Sequence, residues 1–376
     1  MELSAKTIPN ATHKGVIMID FHAHRFNSIQ TLRGLAALMV VCEHIRFLAC
    51  GAFGVDIFFC ISGFMIMYTT HHSTEGFFRK RLIRIVPFYY LMTLCVYLML
   101  VLFPAMFEQT EASFVKLLKS LLFIPFDMGD GVMQPIVRIG WTVNCEMFFY
   151  LLFWLAFRIS HRYRGIICVG LLLACSGLGA LLSGGNTWMG GSLVGEHGAV
   201  SSLLAPVFFY GNPVMLEFGL GILSYYVVRA LYTRTKDAGM LSRKRIGIPA
   251  LAASLLLFVG LVASTSYVNI LGYRRLLYWG VPAMLIFIGF LVAGYSLRMP
   301  GFSVRLGDIS FSLYLIHYYP IMLLDRKVFD FSSLTFVSGI GAIIGTLSVI
   351  ALAYVAWYVV EQKLTGWLRA KLFPVR

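Results

Sequence analysis

Charged residues are scarce in this sequence. Asp, Glu, Lys and Arg together make up 13% of the 376 residues, against about 25% in soluble globular proteins. Hydrophobic residues make up 59%, whereas soluble domains contain about 45–50%. This balance excludes a water-soluble fold, a coiled coil, a disulfide scaffold and a disordered chain. The apolar stretches are long and continuous rather than alternating, which excludes a transmembrane β-barrel.

Acidic residues and cysteine motifs are also under-represented. The 17 Asp and Glu residues face 31 Lys and Arg residues, giving a formal net charge of +14. In helical membrane proteins such an excess collects in cytoplasmic loops, so we expect it to reflect topology and not binding to nucleic acid. The seven cysteines form no Cys-x-x-Cys pair, so neither a zinc site nor a disulfide framework is expected. The N-terminus has only a short apolar patch, Val16–Ile19, which is too brief for a signal peptide.

Long apolar windows fill most of the chain. They run over about 28–49, 52–70, 85–105, 141–158, 165–183, 212–231, 247–264, 277–297, 309–325 and 335–358. Each approaches the roughly 20 residues that cross a bilayer, whereas the stretch 114–126 is too short. The basic loops alternate so as to place both termini in the cytoplasm. The sequence therefore predicts an all-α polytopic protein with about ten transmembrane helices: a cytoplasmic segment 1–27, an integral domain 28–360 and a basic cytoplasmic tail 361–376.

Among the ionisable residues inside these windows, where a charge is costly and usually functional, seven are the informative candidates. They are Arg33, Glu43, His44, Asp56, Glu146, Glu217 and His317. Counted at about 1.5 Å per residue, most of them fall at one level in the outer half of the membrane. Arg33 and His44 are eleven positions apart, so they share a helix face and are separated by about 16 Å along the axis. We expect a single site that links the two sides of the membrane.

The residue types in this set suit acyl transfer to a hydroxyl. A neutral His44 can take a proton from a hydroxyl as its oxygen attacks an acyl carbon, or it can carry the acyl group itself. Asp56 or Glu146 can orient the imidazole, and the sequence leaves both open. Arg81 and Arg84, at i and i+3, form a cationic face that suits the phosphates of a donor such as coenzyme A.

A proton-coupled exporter of a glycan or a lipid-linked sugar also fits buried charges of this kind. Transporters of that class often contain inverted repeats with paired broken helices, and no such repeat is present in the sequence. The basic motif beside a cytoplasmic helix end favours an enzyme with a polyanionic donor.

Five sequence blocks, in order, resemble the membrane acyltransferase-3 family, and within it the bacterial exopolysaccharide acyltransferases. They are Ser28–Leu38 followed by His44, then Gly54–Phe64, Arg79–Pro87, Trp141–Tyr150 and Ser310–His317. The resemblance covers about residues 28–361. The run Glu361–Lys363 departs from the Glu-x-Pro with which members often end their last span.

The resemblance implies an O-acyltransferase that moves an acyl group, usually acetyl, from cytoplasmic acyl-CoA to a sugar hydroxyl of an exopolysaccharide or other envelope glycan. The catalytic candidates are His44, Arg33, Glu146, Asp56 and His317. The residues expected near the donor, acetyl-CoA, are Arg81, Arg84, Arg79 and Arg33. The expected partners are a glycan or lipid-linked sugar acceptor, the lipid bilayer and polysaccharide assembly proteins. The expected location is the bacterial inner membrane.

Overall fold

Apolar windows of this length form helices, because a backbone surrounded by lipid must satisfy its own hydrogen bonds. The computed structural model describes residues 26–48, 50–107, 112–126, 133–182, 204–235, 240–265, 273–294, 297–328, 331 and 336–372. Over these ranges the chain is helical and has no strand. The first helices are α1 Asn27–His44, α2 Phe53–Thr69, α3 Phe77–Leu102, α4 Phe114–Leu121, α5 Trp141–Ile159, α6 Arg164–Leu182, α7 Ala205–Tyr210, α8 Leu216–Thr235 and α9 Met240–Thr265.

The second half of the chain is also helical. Its helices are α10 Val281–Gly294, α11 Gly301–Asp308, α12 Ser310–Ile316, α13 Tyr318–Lys327, α14 Phe336–Ala356 and α15 Thr365–Leu372. The helical turn Tyr273–Arg275 and the π-helical segment Leu276–Gly280 lead into α10, and a second π-helical segment, Trp357–Leu364, joins α14 to α15.

Each of the ten apolar windows contains a described helix. Among the residues that the structure describes, seven stretches are long and apolar enough to cross a membrane. They are Phe77–Leu102, Arg138–Ile159, Arg164–Leu182, Pro213–Arg234, Arg245–Ala263, Leu276–Gly294 and Val337–Leu372. Phe53–Thr69 is a shorter apolar helix. The all-helical, multi-pass class is thus confirmed for the described residues, whereas the count of ten spans and the cytoplasmic termini stay predictions. Residues 1–25, nearly all of the predicted N-terminal segment, lie outside the described residues.

The first two helices form the centre of the bundle. Helix α1 packs against α2, α10, α11 and α12, and α2 also packs against α8. Helices α3, α9 and α14 lie at the periphery and leave much of their apolar surface exposed. Such surface suits contact with lipid, whose hydrocarbon core is as apolar as the side chains.

A glycine brings α1 and α2 into close contact. A Cβ atom on Gly54 would lie 2.3 Å from the carbonyl oxygen of Ala36, so any larger residue there would push the two helices apart. The contact fixes the backbone of α2 at Gly54 against the middle of α1.

The ninth window is interrupted beside its histidine. Helix α12 ends at Ile316 and α13 begins at Tyr318. Pro320 has no N–H group to donate to the carbonyl of Ile316, four residues earlier. The backbone nonetheless continues through the interruption, since His317 N donates to Leu313 O at 3.2 Å and Ile321 N donates to His317 O at 3.2 Å. This interruption places a fully buried His317 beside α1.

Candidate active site

One end of α1 contributes to a basic cavity formed mainly by α1, α2, α3, α5 and α12. This inner cavity holds about 870 Å³ of empty space, its open mouth included. Its charged lining residues are Arg33, Arg81, Arg84 and Glu146. Three guanidinium groups against one carboxylate leave it net positive, and guanidinium groups bind phosphate through paired, charge-assisted hydrogen bonds.

The side chains of the inner cavity are held by neutral partners. Arg81 Nη2 donates to Thr69 Oγ1 at 2.9 Å, and its guanidinium carbon lies 5.4 Å from the centre of the Tyr150 ring. Glu146 Oε1 accepts from Ser62 Oγ at 3.2 Å and from the Tyr150 hydroxyl. Arg84 makes no hydrogen bond among the described residues, so its donors remain available for a ligand.

The remaining donor candidates differ in position. Arg33 Nη1 donates to Gln30 Oε1 at 3.3 Å, and both residues line the inner cavity. Arg79 is exposed on the first turn of α3 and is not part of the cavity lining. The structure therefore brings Arg33, Arg81 and Arg84 together and leaves Arg79 outside the group.

The other end of α1 contributes to a second cavity. This outer cavity holds about 740 Å³ of empty space, again with its mouth included. It is lined by His44, Glu43, Gln134, Arg138, Trp141 and Tyr318, among others. Aromatic rings beside hydrogen-bonding side chains are a combination that can bind a polar ring such as a sugar, because the rings cover apolar C–H faces while the polar groups bond hydroxyls.

Two imidazoles meet at the outer cavity. His44 Nδ1 lies 2.8 Å from Val40 O and 3.3 Å from His317 Nε2. His317 Nδ1 lies 2.7 Å from Tyr314 O and 3.2 Å from Leu313 O. A carbonyl oxygen can only accept, so in both neutral rings the proton is on Nδ1. The lone pair of His44 is then on Nε2, where it can take a proton or attack an electrophile.

The two carboxylates considered as partners of His44 lie elsewhere. Asp56 is fully buried and accepts two hydrogen bonds from Arg275, at 2.7 and 3.2 Å. Glu146 is bonded in the inner cavity. Among the described residues, His317 is therefore the side chain within hydrogen-bond distance of His44, while Asp56 and Glu146 are already bonded to other groups. Catalytic roles for Asp56 and Glu146 stay predictions.

The candidate residues fall in two cavities, and their predicted common depth in the membrane stays a prediction. Arg33 and Glu146 line the inner cavity, and Glu43 and His44 line the outer one. Glu217 is fully buried away from both cavity linings, and among the described residues neither of its carboxylate oxygens has a hydrogen-bond partner. Counting positions along each helix gave similar depths, but it contains no information on which helices are neighbours.

The sequence did not identify Arg275 as the partner of Asp56. In the sequence Arg275 is a basic residue just before an apolar window, whereas in the structure its guanidinium carbon lies 4.9 Å from the centre of the Trp279 ring and its donors bind Asp56. Its position just before an apolar window was the one available signal. A second carboxylate, Glu361, accepts a hydrogen bond from Ser312, which belongs to the Ser310–His317 block.

Comparison with known proteins identifies the family. The sequence model of the acyltransferase-3 family, an acyltransferase domain, matches residues 26–358. The chain belongs to the acyltransferase-3 family. It is also 28% identical over 285 residues to the exopolysaccharide production protein ExoZ of Rhizobium meliloti (strain 1021), an alignment that covers 73% of this chain and 78% of the relative. No solved structure matches the chain with significance.

The acyltransferase-3 blocks converge on the two cavities. The inner cavity is lined by residues of the Arg79–Pro87 block on α3 and of the Trp141–Tyr150 block on α5. His44 meets His317, the last residue of the Ser310–His317 block, beside the outer cavity. Helix α1 is common to both, with Arg33 in one lining and His44 in the other. The predicted family is thus confirmed, and the membrane acyltransferase has its two sets of candidate residues at opposite ends of one helix.

Proposed function

We propose that this acyltransferase moves an acyl group, acetyl in the first instance, from acyl-CoA to a sugar hydroxyl of an exopolysaccharide or other envelope glycan. The observation that carries the proposal is that the unprotonated Nε2 of His44 belongs to one cavity while the basic residues suited to phosphates belong to another. The acyltransferase-3 family and the resemblance to ExoZ support the acyl-transfer class and the exopolysaccharide setting.

The donor binds with its phosphates in the inner cavity. Arg81 and Arg84 bond the phosphate oxygens and Arg33 adds a third guanidinium group. The pantetheine arm then follows the face of α1 from Arg33 towards His44, over about 16 Å of helix. An extended pantetheine chain is of this order, so the thioester reaches the imidazole while the phosphates stay with the arginines.

The chemical step uses the His44 lone pair. Nε2 takes the proton of the acceptor hydroxyl as its oxygen bonds to the thioester carbonyl carbon, and the carbon–sulfur bond then breaks. The imidazolium returns its proton to the departing thiolate, so the products are the ester and coenzyme A. The alternative is that Nε2 attacks the carbonyl first and an acyl-imidazole passes the group to the hydroxyl.

His317 acts on His44 and not on the substrate. Its Nε2 lone pair faces His44 Nδ1 at 3.3 Å, and its own ring is fixed by the carbonyls of Tyr314 and Leu313. When His44 becomes positively charged, its Nδ1–H group donates more strongly to Val40 O and to His317. His317 thus orients His44 and stabilises its positive charge. The acidic residue of a catalytic triad has the same role, but His317 acts as a neutral acceptor.

The acceptor enters the outer cavity as a glycan or as a lipid-linked sugar. Trp141 and Tyr318 present aromatic surface beside His44, and Glu43, Gln134 and Arg138 supply hydrogen-bonding groups. We place the protein in the bacterial inner membrane with both termini in the cytoplasm, where donor and acceptor lie on opposite sides and polysaccharide assembly proteins can supply or receive the glycan.

The test is a transfer assay with purified protein in nanodiscs. Acetyl-CoA labelled in the acetyl group is incubated with envelope glycan and lipid-linked sugar fractions, and base-labile label on carbohydrate is counted. Wild type is expected to transfer label, and His44→Ala to transfer none while still binding coenzyme A. His161→Ala is the matched control, because the His161 ring contacts the carbonyl oxygen of Thr70 and lines neither cavity. Full transfer by His44→Ala contradicts the proposal.

A proton-coupled exporter is the second candidate, and the buried Asp56–Arg275 pair with the nearby Glu217 is the observation that favours it. Proteoliposomes separate the two functions. Substrate flux driven by a pH gradient, with no dependence on acetyl-CoA, favours the exporter, whereas ester formation without flux favours the transferase.

A further inference from the structure

The inner and outer cavities share two lining residues, Val55 and Tyr314. These two side chains therefore stand between the arginines at one end of α1 and His44 at the other, and we call them the partition. A group that moves from the inner cavity to His44 across this shared boundary passes these two side chains.

The side chains of the two partition residues differ in how freely they can rotate. Val55 is β-branched on a helix, so its χ1 angle has one strongly preferred value. Its backbone is also fixed, because the adjacent Gly54 sits against Ala36 O. Tyr314 has a long side chain that rotates about two bonds, so it is the member of the pair that can move.

Weak polar contacts hold the Tyr314 ring in place. Its hydroxyl donates to Ile139 O at 3.3 Å and accepts from Thr142 Oγ1 at 3.1 Å. The Phe58 ring lies edge-on, with 5.9 Å between the ring centres. Both hydrogen bonds are at the long end of the usual range, so a ligand that enters the inner cavity can replace them at low cost.

The backbone of Tyr314 is tied to the histidine pair. Its carbonyl oxygen is 2.7 Å from His317 Nδ1, one helical turn later. Rotation of the Tyr314 side chain therefore leaves the carbonyl that orients His317 unchanged. The side chain can open a passage without disturbing the proposed base.

We propose that Tyr314 is a positioning residue that closes the passage between the two cavities until acyl-CoA is bound, and so keeps the thioester away from water of the outer cavity. The proposal rests on the proposed function. Without the Tyr314 side chain the passage stays open to water. A water oxygen then attacks the thioester carbonyl and the carbon–sulfur bond breaks. The thiolate takes the proton that the water loses, and free carboxylic acid and coenzyme A are released.

Proton leakage tests the partition without relying on acyl transfer. Proteoliposomes that contain a pH-sensitive dye are given a pH step. Tyr314→Gly removes the ring and is expected to dissipate the step faster than wild type. Tyr314→Phe keeps the ring but loses both hydrogen bonds, so it is expected to leak less than Tyr314→Gly. Tyr319→Leu is the matched control, because Tyr319 is buried on the same stretch, bonded to Ile136 O at 3.0 Å, and absent from both cavity linings.

Thiol release from acetyl-CoA without acceptor is the second readout. Tyr314→Gly is expected to hydrolyse acetyl-CoA about tenfold faster than wild type, because the two hydrogen bonds and the ring that close the passage are gone. Tyr314→Leu, which keeps an apolar side chain in the core, serves the same purpose where the glycine variant fails to fold.

The two proposals fail in different ways. A folded Tyr314→Gly variant with a wild-type dye signal overturns the partition, even where wild type transfers acetyl groups to glycan. A faster leak in Tyr314→Gly supports the partition, and together with a wild type that transfers no acetyl group it overturns only the proposed reaction.

Discussion

His44 Nδ1 lies 3.3 Å from His317 Nε2, although the two residues are 273 positions apart in the chain. The pairing explains how an imidazole in an apolar bundle keeps one tautomer, since each Nδ1–H group has a backbone carbonyl acceptor and only His44 retains a lone pair towards a cavity. Orientation by a second hydrogen-bonding group is a general way to prepare a histidine for proton transfer.

Replacing His317 by leucine is expected to lower kcat by about ten- to a hundredfold with little change in KM for acetyl-CoA, because such orienting partners contribute to this extent. His317→Gln keeps an acceptor oxygen and is expected to recover part of the rate. Steady-state kinetics over a range of pH checks both. Equal loss in the leucine and glutamine variants contradicts an acceptor role for His317.

Removing a guanidinium group from the inner cavity is expected to weaken donor binding. Arg81→Ala and Arg84→Ala should each raise KM for acetyl-CoA about tenfold, the usual effect of losing a charge-assisted hydrogen bond. Acetyl-pantetheine lacks the nucleotide phosphates, so its KM should not change. Arg79→Ala removes the same charge from an exposed position and should have the smaller effect. An equal rise in KM for acetyl-CoA and for acetyl-pantetheine would show that the arginines do not bind the phosphates.

The buried pair of Asp56 and Arg275 is expected to support folding. Asp56→Asn leaves Arg275 without its counter-charge, and breaking such a buried pair costs about 3–5 kcal/mol. The melting temperature in detergent should fall accordingly. The double variant Asp56→Leu with Arg275→Leu should recover part of the loss, since neither charge is then left alone. A stable but inactive Asp56→Asn would instead assign Asp56 to the chemistry.

The contact between α1 and α2 is expected to be intolerant of added volume. Gly54→Ala places a methyl group against Ala36 O, and overpacking of this kind costs about 1–3 kcal/mol. Gly170→Ala on α6 is the control, because a Cβ atom there meets nothing within 4 Å. The melting temperature should therefore fall for Gly54→Ala and stay near wild type for Gly170→Ala. An unchanged melting temperature for Gly54→Ala would show that the two helices can separate without loss of stability.

Much of the architecture could be predicted from the sequence because the bilayer imposes a length and an apolar character on each helix. The shared face of Arg33 and His44 followed from helical geometry alone, and each residue does line a cavity. The Asp56–Arg275 pair, 219 positions apart, could not be predicted, since hydropathy does not determine which helices touch. For the same reason the position of Tyr314 between the cavities could not be predicted.

The cavities at the two ends of α1 share only Val55 and Tyr314 in their linings. The hydrocarbon core of a bilayer is about 30 Å thick, and water in either cavity shortens the distance over which a transmembrane voltage falls. With the two cavities open to opposite sides of the membrane, as proposed, the voltage would fall mainly across these two side chains. In the proposed reaction the neutral thioester would cross this boundary without electrical work, because the charged phosphates of its carrier would stay beside the arginines.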